Sequence, residues 1–445
     1  MGPNLTRRAA AALAVFLGCA RALAAVPAPE GFAGMQAQRL EEPVFGGQVV
    51  VYEAGRGHAR SVLLVHGIGP GGARDWRQTV GWLQQSFHVV ALDLPGFGAS
   101  SKANALYSPG NYAAVLKHVA DRFVGRPFIL VGHSMGAVVS LRYAAAYGQD
   151  VAQLVLLDAP GILHRYAVAS DYLAQLGLGF ARRLLVPLER MRFEPEAILA
   201  SAALRESWLG GDPAAIAGLA VASEDLSGEL GAVRAETLVL WGGRDQLVPL
   251  RTGKVLAARL PHARLQVIEQ AGHTPMLEAP AAFRAALAPF LERGLKGVSP
   301  VRRLPPLRQG SALCRSERDR VYEGDYDVLA IEGCTQVTIR NARVRELRVS
   351  DSSVTIEDSH VGGSTTGLYV SNSAVIATSV RFEGEIAITA LASRLDLADV
   401  ELVGSRAALT APVRSHVVFS FGRVHSPNVR GDLHAFFTFG PDNPL

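Results

Sequence analysis

The sequence predicts a doubly wound, mostly parallel α/β domain with a helical lid, followed by an all-β domain. Apolar runs alternate with helical stretches in the first part of the chain, and one long insertion interrupts this alternation. Short β-type segments then repeat at the C-terminal end. A chain of 445 residues is long enough for two or three domains.

The composition is that of a globular protein, since 49% of the residues are hydrophobic and 19% are charged. The formal net charge is +4, but Arg7, Arg8 and Arg21 lie in a segment that we expect to be removed. The sequence contains no run of Lys and Arg with interleaved aromatic residues, so it does not predict a nucleic-acid partner.

Residues 1–24 form a predicted signal peptide. Arg7-Arg8 precede an apolar stretch, 9–18, that is too short to span a bilayer. Cleavage is expected after Ala22-Leu23-Ala24, which predicts a periplasmic or secreted bacterial protein. Two alternatives stay open, namely twin-arginine export and lipid anchoring through the cysteine of Leu17-Gly18-Cys19.

Two cysteines remain if Cys19 leaves with the leader. An even pair in an oxidising compartment favours a disulfide between Cys314 and Cys334, and two buried thiols are the alternative. The bond would close a loop of about twenty residues and stabilise the fold by about 3 kcal/mol in the chain-entropy model.

Seven apolar runs predict the strands of the first domain, residues 25–298. Most are continuous rather than alternating, as expected for parallel strands that are buried on both faces. Strands separated by helices predict a doubly wound sheet. The runs are 49–52, 62–65, 89–92, 128–131, 154–157, 238–241 and 265–268.

A long insertion separates the fifth and sixth of these strands. Residues 162–228 contain several short amphipathic segments, which are broken by Gly210-Gly211 and Pro213. We interpret the insertion as a lid over the active site, because so long a connection needs a reason of its own. A plain crossover connection is the alternative.

A different pattern begins after a predicted linker, 299–325, which contains the Pro- and Arg-rich stretch 300–308. Residues 326–445 repeat at intervals of 17 to 22 residues and predict a right-handed parallel β-helix of about five turns. A β-sandwich is the alternative. The repeated segments start at Val337, Val354, Val375, Leu395 and Val417, and each has a second apolar position at Val344, Val361, Phe382, Leu402 and Val424.

Ser134 lies in Gly132-His133-Ser134-Met135-Gly136, between an apolar strand and a helix start. Strand, sharp turn and helix are the context of a nucleophile elbow, in which the glycines remove side chains that would collide. Asp245 and His273 each follow a later strand, so a candidate acid and then a candidate base come after the serine along the chain. Asp158, which also ends a strand, is the alternative acid.

The serine needs two backbone donors for the oxyanion. We expect these donors to be the N–H groups of Met135 and Ile68, and the Gly-rich turn that holds Ile68 is supported by His66, Gly67 and Gly69. This turn lacks the P-loop ending and the dinucleotide spacing. We therefore predict neither a cofactor nor a metal. His133, beside the serine, is expected to be structural.

Residues 45–295 resemble the α/β-hydrolase family. The segments that carry this resemblance are His66-Gly67-x-Gly69-Pro70-Gly71, Asp93-Leu94-Pro95-Gly96-Phe97-Gly98-x-Ser100, Gly132-His133-Ser134-Met135-Gly136, Gly243-Arg244-Asp245-x-Leu247-Val248-Pro249 and Gly272-His273-x-Pro275-x-x-Glu278. Within the family the chain is similar to the lidded branch of carbon–carbon bond hydrolases, esterases and epoxide hydrolases. Haloalkane dehalogenases and epoxide hydrolases use Asp as the nucleophile, whereas this chain has Ser134, which argues against both of these activities.

The sequence thus favours an exported serine hydrolase, a carboxylesterase that forms an acyl-enzyme with a small ester-like substrate. A carbon–carbon bond hydrolase and an acyltransferase are alternatives, since they use the same triad. An alternative of another class is an envelope protein that binds a glycan or a protein partner through its C-terminal domain, with an idle hydrolase domain.

Overall fold

The computed structural model describes residues 25–26, 32, 34–164, 167, 195–299, 307–363, 365–441 and 443–445. The predicted signal peptide lies outside the described residues, as do the first half of the predicted lid and the Pro-rich start of the predicted linker. Within the described part of the chain, no helix combines the length and the apolar character needed to cross a membrane.

The first domain contains a nine-stranded sheet in the order β1-β2-β3-β5-β4-β6-β7-β8-β9. The strands are β1 (Ala25–Val26), β2 (Gln36–Glu42), β3 (Gly47–Ala54), β4 (Ser61–Val65), β5 (His88–Asp93), β6 (Phe128–His133), β7 (Val151–Leu157), β8 (Glu236–Gly242) and β9 (Ala263–Ile268). All seven predicted strands are present. The neighbours from β5 to β9 pair in parallel, whereas β1, β2, β3 and β5 pair antiparallel.

Helices cover both faces of this sheet. Val51 and Leu63 belong to one hydrophobic cluster, while their sequence neighbours Tyr52 and Val62 belong to another. Alternate residues of one strand point to opposite faces, so each face has its own core. The helices are α1 (Arg77–Leu83), α2 (Pro109–Phe123), α3 (Met135–Ala146), α4 (Pro195–Ala200), α5 (Ala202–Leu209), α6 (Pro213–Ala222), α7 (Leu250–Arg259), α8 (Pro275–Glu278) and α9 (Pro280–Arg293).

The second domain is a twelve-stranded sheet, parallel except for its last strand. Val337, Val354, Val375, Leu395 and Val417 form one continuous ladder, and Val344, Val361, Phe382, Leu402 and Val424 form a second. The predicted repeat therefore stacks in the predicted register. A parallel β-helix needs this stacking, and an antiparallel β-sandwich does not fit it.

The strands of this domain vary in length and extend the stack at both ends. They are β10 (Arg308–Arg315), β11 (Val321–Glu332), β12 (Val337–Ser350), β13 (Ser353–Glu357), β14 (His360–Gly362), β15 (Thr366–Ser371), β16 (Ala374–Thr378), β17 (Arg381–Leu391), β18 (Arg394–Ala398), β19 (Glu401–Thr410), β20 (Ser415–His425) and β21 (Arg430–Phe439). The final strand, β21, pairs antiparallel with β20 and closes the stack.

The structure places the start of this domain earlier than the sequence predicts. Strand β10 begins at Arg308, inside the predicted linker, and pairs in parallel with β11. Tyr322 pairs with Ile339, again at a spacing of 17 residues, but it is aromatic where the later coils have aliphatic residues, so the repeat is hard to recognise in the sequence. Cys314 and Cys334 are joined by a disulfide between these first coils, with a Cα–Cα distance of 6.6 Å.

Candidate active site

Ser134 lies in the turn between β6 and α3. Its backbone has a φ of 52° and a ψ of −123°, which L-residues rarely adopt. A Cβ on Gly132 would lie 2.3 Å from the carbonyl oxygen of Gly136, and a Cβ on Gly136 would lie 2.4 Å from that of His66. The turn can therefore form only because both flanking residues are glycine.

A chain of hydrogen bonds joins the three predicted triad side chains. The Oγ of Ser134 lies 3.0 Å from Nε2 of His273, and Nδ1 of the same ring lies 2.7 Å from Oδ2 of Asp245. A carboxylate only accepts, so Nδ1 carries the proton and Nε2 is left to accept from the hydroxyl. The three residues follow β6, β8 and β9, whose parallel carboxyl ends meet at one edge of the sheet.

Within this chain of hydrogen bonds, the acid is more deeply buried than the base. The Asp245 side chain is fully buried, whereas that of His273 is 19% exposed. The second carboxylate oxygen, Oδ1, accepts the backbone N–H groups of Leu247 and Val248 at 2.7 and 2.9 Å. Because the loop wraps around its own acid, the carboxylate is fixed for its bond to the imidazole.

Asp158, the alternative acid, lies beside Asp245 and bonds elsewhere. Its Oδ1 accepts the N–H of Gly242 at 2.9 Å. Its Oδ2 is buried, and no N–H or O–H donor among the described residues reaches it. Burial raises the pKa of Asp158 to about 9, and the neighbouring Asp245 charge adds to this rise. Asp158 is therefore protonated at neutral pH, and its Oδ1 is bound to the N–H of Gly242 rather than to the imidazole of His273.

We predict that the Asp158 carboxyl group makes the free energy of unfolding depend on pH, and that Asp158→Asn removes this dependence. The native state holds the proton up to about pH 9, whereas the unfolded state releases it at the ordinary pKa of an aspartate. The free energy of unfolding is therefore expected to fall by up to about 1.4 kcal/mol per pH unit between these limits. Asparagine has no proton to release and tolerates the positive φ of 48° at this site.

Urea unfolding of both chains at pH 5 and pH 8 measures this difference. We expect the stability of the variant relative to the parent to rise by a few kcal/mol between the two pH values. The other charges near Asp158 are those of Asp245, Glu278 and His273, and both chains share them. An equal pH dependence in the two chains would contradict a protonated Asp158.

His133 supports the base, as a structural residue. Its Nε2 donates to the main-chain carbonyl of His273 at 2.7 Å. Burial, together with the neighbouring His273, lowers the pKa of His133 to about 3, so the ring is neutral. His133, the last residue of the strand before the nucleophile, therefore anchors the loop that carries the His273 imidazole.

His66 organises the Gly-rich turn. The ring is fully buried, and burial lowers its pKa, so it is neutral. Its Nε2 accepts the N–H of Leu94 at 2.9 Å, and its Nδ1 donates to the carbonyl of Gly67 at 2.6 Å. A Cβ on Gly67 would lie 2.8 Å from Cβ of Ser134, so this turn packs directly against the nucleophile.

The two predicted oxyanion donors belong to segments that adjoin the serine, namely the Gly-rich turn and the start of α3. Ile68 follows Gly67 in the packed turn, and Met135 begins α3, where the first N–H groups have no partner within the helix. Open space surrounds Gly69, and the structure gives no reason for a glycine at that position.

The described end of the predicted lid lies beside this turn. A Cβ on Gly218, in α6, would lie 3.8 Å from the side chain of Ile68. Ile216 and Ala217 of the same helix belong to the hydrophobic cluster that contains Met135. The insertion therefore contributes an apolar wall next to the predicted oxyanion donors.

Glu278 holds the loop around His273, a role that was not predicted from the sequence. The structure shows that its carboxylate accepts the N–H of Gly272 at 2.6 Å and both the N–H and the hydroxyl of Thr274 at 2.9 and 2.7 Å. The side chain thus brackets His273 from both sides. The signal in the sequence was its spacing in the His273 segment, since α8 turns Glu278 back onto this loop.

Known proteins resemble a little over half of this chain. A solved thermophilic esterase from Thermogutta terrifontis is 26% identical, with a TM-score of 0.44, and the match covers 58% of this chain and 99% of that one. The 2-hydroxymuconate semialdehyde hydrolase of Pseudomonas sp. (strain CF600) is 30% identical over 243 residues, 52% of this chain and 86% of that protein. The pimeloyl-[acyl-carrier protein] methyl ester esterase of Vibrio atlanticus is 27% identical over 260 residues, 53% and 96% of the two proteins.

The sequence model of the alpha/beta hydrolase family matches residues 62–286, which is half of the chain. The match begins at β4 and ends within α9, so it includes the elbow, both loops that reach it and the whole insertion. The chain therefore belongs to the α/β-hydrolase family.

Proposed function

We propose that this protein is a serine hydrolase that cleaves carboxylic esters through an acyl-enzyme. The observation that carries the proposal is the continuous hydrogen-bond chain from Ser134 through His273 to Asp245. The distances of 3.0 and 2.7 Å are those at which a base can take the proton of a nucleophile while an acid holds the base.

The reaction follows from this geometry. The Oγ of Ser134 attacks the ester carbonyl, and Nε2 of His273 takes the hydroxyl proton. The N–H groups of Ile68 and Met135 hold the resulting oxyanion. Collapse of this intermediate expels the alcohol, which receives the proton from the imidazolium. Water then attacks the acyl-enzyme by the same route, and the acid and the serine are released.

A carbon–carbon bond hydrolase is the second candidate. One relative named as a 2-hydroxymuconate semialdehyde hydrolase is 30% identical to this chain, which favours a substrate of that class. An acyltransferase would use the same triad, with a second alcohol in place of the water that attacks the acyl-enzyme. The similar proteins include both esterases and a 2-hydroxymuconate semialdehyde hydrolase, so similarity alone does not rank the two candidates. We rank ester hydrolysis first, because the cleavage of an ester needs no catalytic group beyond the triad and the oxyanion donors.

A substrate panel tests the proposal. The protein would be incubated with p-nitrophenyl esters, lactones, amides and a dienone meta-cleavage product, and labelled in parallel with a fluorophosphonate. We expect the fluorophosphonate to modify Ser134, as located by mass spectrometry of the labelled peptide, and esters to be turned over fastest. Preferred turnover of the dienone would favour the second candidate.

The same labelling separates an enzyme from a binding protein with an idle site. A reactive serine needs the imidazole as base, so an idle site would leave the probe unreacted. A chain that is correctly folded but neither labelled nor active on any member of the panel would contradict the proposal. In that case, recognition of a glycan or an envelope partner would be the better description.

We also propose that the protein is exported. The predicted leader over 1–24 supports this proposal, and so does the disulfide between Cys314 and Cys334, which an oxidising compartment favours. The mass of the protein recovered from the periplasm and the medium tests it. We expect a chain cleaved after Ala24, whereas a diacylglyceryl group on Cys19 would indicate the lipid-anchored alternative.

For residues 326–445, together with the coils that precede them, we propose a right-handed parallel β-helix. Support comes from the two stacked ladders and from the strong preference of parallel strands for right-handed connections. The rigid stack could serve as a binding surface or as a framework, and its contacts with the first domain favour a framework.

A further inference from the structure

The outward face of the second domain is covered at one place. Strand β13 alternates between buried and half-buried residues, whereas four of the five residues of β18 are buried. A coil that packs only inwards should alternate, because successive side chains point to opposite faces. Ala398 and Val418 belong to the hydrophobic cluster of the first domain, which identifies what covers this face.

The covering element is α7, which presents three cations to the second domain. Arg251 forms two hydrogen bonds with Asp396, at 2.7 and 3.0 Å, and the two side chains are each only 8% exposed. Lys254 lies 2.9 Å from carboxylate oxygens of Glu357 and Asp358.

Arg259, at the end of the helix, binds Asp399 at 2.7 Å. The cations of α7 are spaced three and eight residues from the first, so they lie on one face of the helix. Their carboxylate partners come from two coils, since Glu357 and Asp358 lie at and directly after the end of β13, whereas Asp396 and Asp399 lie in and directly after β18. The negative charges of the stack therefore match the positive charges of α7 from its start to its end.

One residue of the coil stack departs from its own pattern at this contact. The coils turn a corner in the left-handed region at Asp358, Ser379 and Asp399, which are polar residues. At the next corner the residue is Phe421, with a φ of 61°, a conformation that is costly for an aromatic residue. Arg259 donates to the Phe421 carbonyl and lies 5.5 Å above its ring. The corner therefore fits the first domain better than it fits an isolated stack.

The same surface of the stack reaches both ends of the lid insertion. The N–H of His164, at the start of the insertion, donates to Oγ of Ser420 at 2.9 Å. The ring of His434 packs between those of His164 and Phe421, with centroids 5.4 and 5.0 Å away. At the other end of the insertion, Asp225 lies 4.0 Å from His434.

Helix α7 is the continuation of the loop that holds the triad acid. Only five residues separate Asp245 from Arg251, and the N–H groups of Leu247 and Val248 within that stretch bind the acid itself. A Cβ on Gly253 would lie 2.5 Å from the Trp241 ring, so α7 sits tightly on the strand that precedes the loop. A shift of α7 would therefore move the donors that fix Asp245.

We propose that the second domain is a positioning element for the triad: it clamps α7, chiefly through Arg251 and Asp396, and thereby holds Asp245 against His273. This inference rests on the proposed function. It makes the C-terminal domain a fixed part of the hydrolase rather than a tethered module, because a buried ion pair is costly to separate.

Asp396→Asn tests the clamp, since the amide removes the negative charge that the Arg251 guanidinium binds. We expect kcat for p-nitrophenyl acetate to fall about 10-fold with KM nearly unchanged, because the acid acts on the transition state. In an Asp245→Asn background the same substitution should change kcat by less than about 2-fold, because the group that the clamp positions is already gone.

Two further variants keep the test independent of folding. Phe421→Asn restores the polar corner residue and is expected to lower kcat while leaving the stack folded, as judged by circular dichroism. Arg251→Met combined with Asp396→Leu replaces the pair by apolar side chains of similar size and should recover most of the loss. Glu401→Gln, which removes an exposed partner of Arg381, is the matched control and should behave like the parent.

The outcomes separate this inference from the proposed function. A parent chain that hydrolyses no ester and is not labelled by fluorophosphonate would refute the function. If the parent is active, the clamp would be refuted by folded Asp396→Asn and Phe421→Asn chains that keep the full kcat. It would also be refuted if these substitutions lowered kcat by the same factor in the parent and in the Asp245→Asn background. If Asp396→Asn does not fold, the result for Phe421→Asn decides.

Discussion

Ser134→Ala is expected to lower kcat for p-nitrophenyl acetate by about a million-fold, with little change in KM. Without the hydroxyl, no acyl-enzyme can form, and His273 is left to activate water in a site shaped for a different attack. The remaining rate should come from the oxyanion donors and from substrate binding. Steady-state kinetics with an alanine variant purified free of host esterases measure this loss.

Ser140→Ala is the matched control for this experiment. Its hydroxyl donates to the carbonyl of Gly136 at 2.7 Å, in the same helix that follows the nucleophile, and is buried. The substitution removes the same atom from the same element but leaves the triad complete, so kcat should stay near that of the parent. A Ser134→Ala chain with undiminished turnover would show that another group is the nucleophile.

Asp245→Asn is expected to lower kcat about ten-thousand-fold while the fold is kept. The amide cannot stabilise the imidazolium, and it favours the ring tautomer in which Nε2 carries the proton. We do not expect Asp158 to take over, because its Oδ1 is bound to the N–H of Gly242 and burial raises the pKa of its carboxyl group. Initial rates at neutral pH measure the effect.

Asp158→Asn is the companion variant for the assignment of the acid. Its amide oxygen can still accept from Gly242, and the substitution leaves Ser134, His273 and Asp245 in place, so we expect a kcat within about threefold of the parent. The reverse result, an active Asp245→Asn chain and an inactive Asp158→Asn chain, would make Asp158 the acid. Loss of activity in both would indicate that the two carboxyl groups act as one unit.

Much of the fold could be predicted because it depends on local patterns. The seven strand runs are continuous and apolar, and all seven form strands of the sheet. Strand β2 was missed, because it lies near the antiparallel edge of the sheet and its sequence, Gln36–Glu42, is mostly polar. The start of the second domain was placed too late, because Tyr322 and Tyr326 stand where later coils carry aliphatic residues.

The sequence by itself determined the triad candidates and the register of the coils. The elbow around Ser134 needs two glycines at fixed spacing, and the coils need an apolar residue at each turn, so both requirements are visible in a linear chain. They are conditions on neighbouring residues, or on residues separated by a constant interval.

Only the tertiary structure decided which acid meets the base and where the two domains join. Asp158 and Asp245 both end strands, and the choice between them depends on a few ångströms of loop path around His273. The pairing of Arg251 with Asp396 joins residues that are far apart in the chain and follow no repeat. Such contacts depend on the shapes and charges of the surfaces of the two folded domains, and no local pattern in the sequence indicates them.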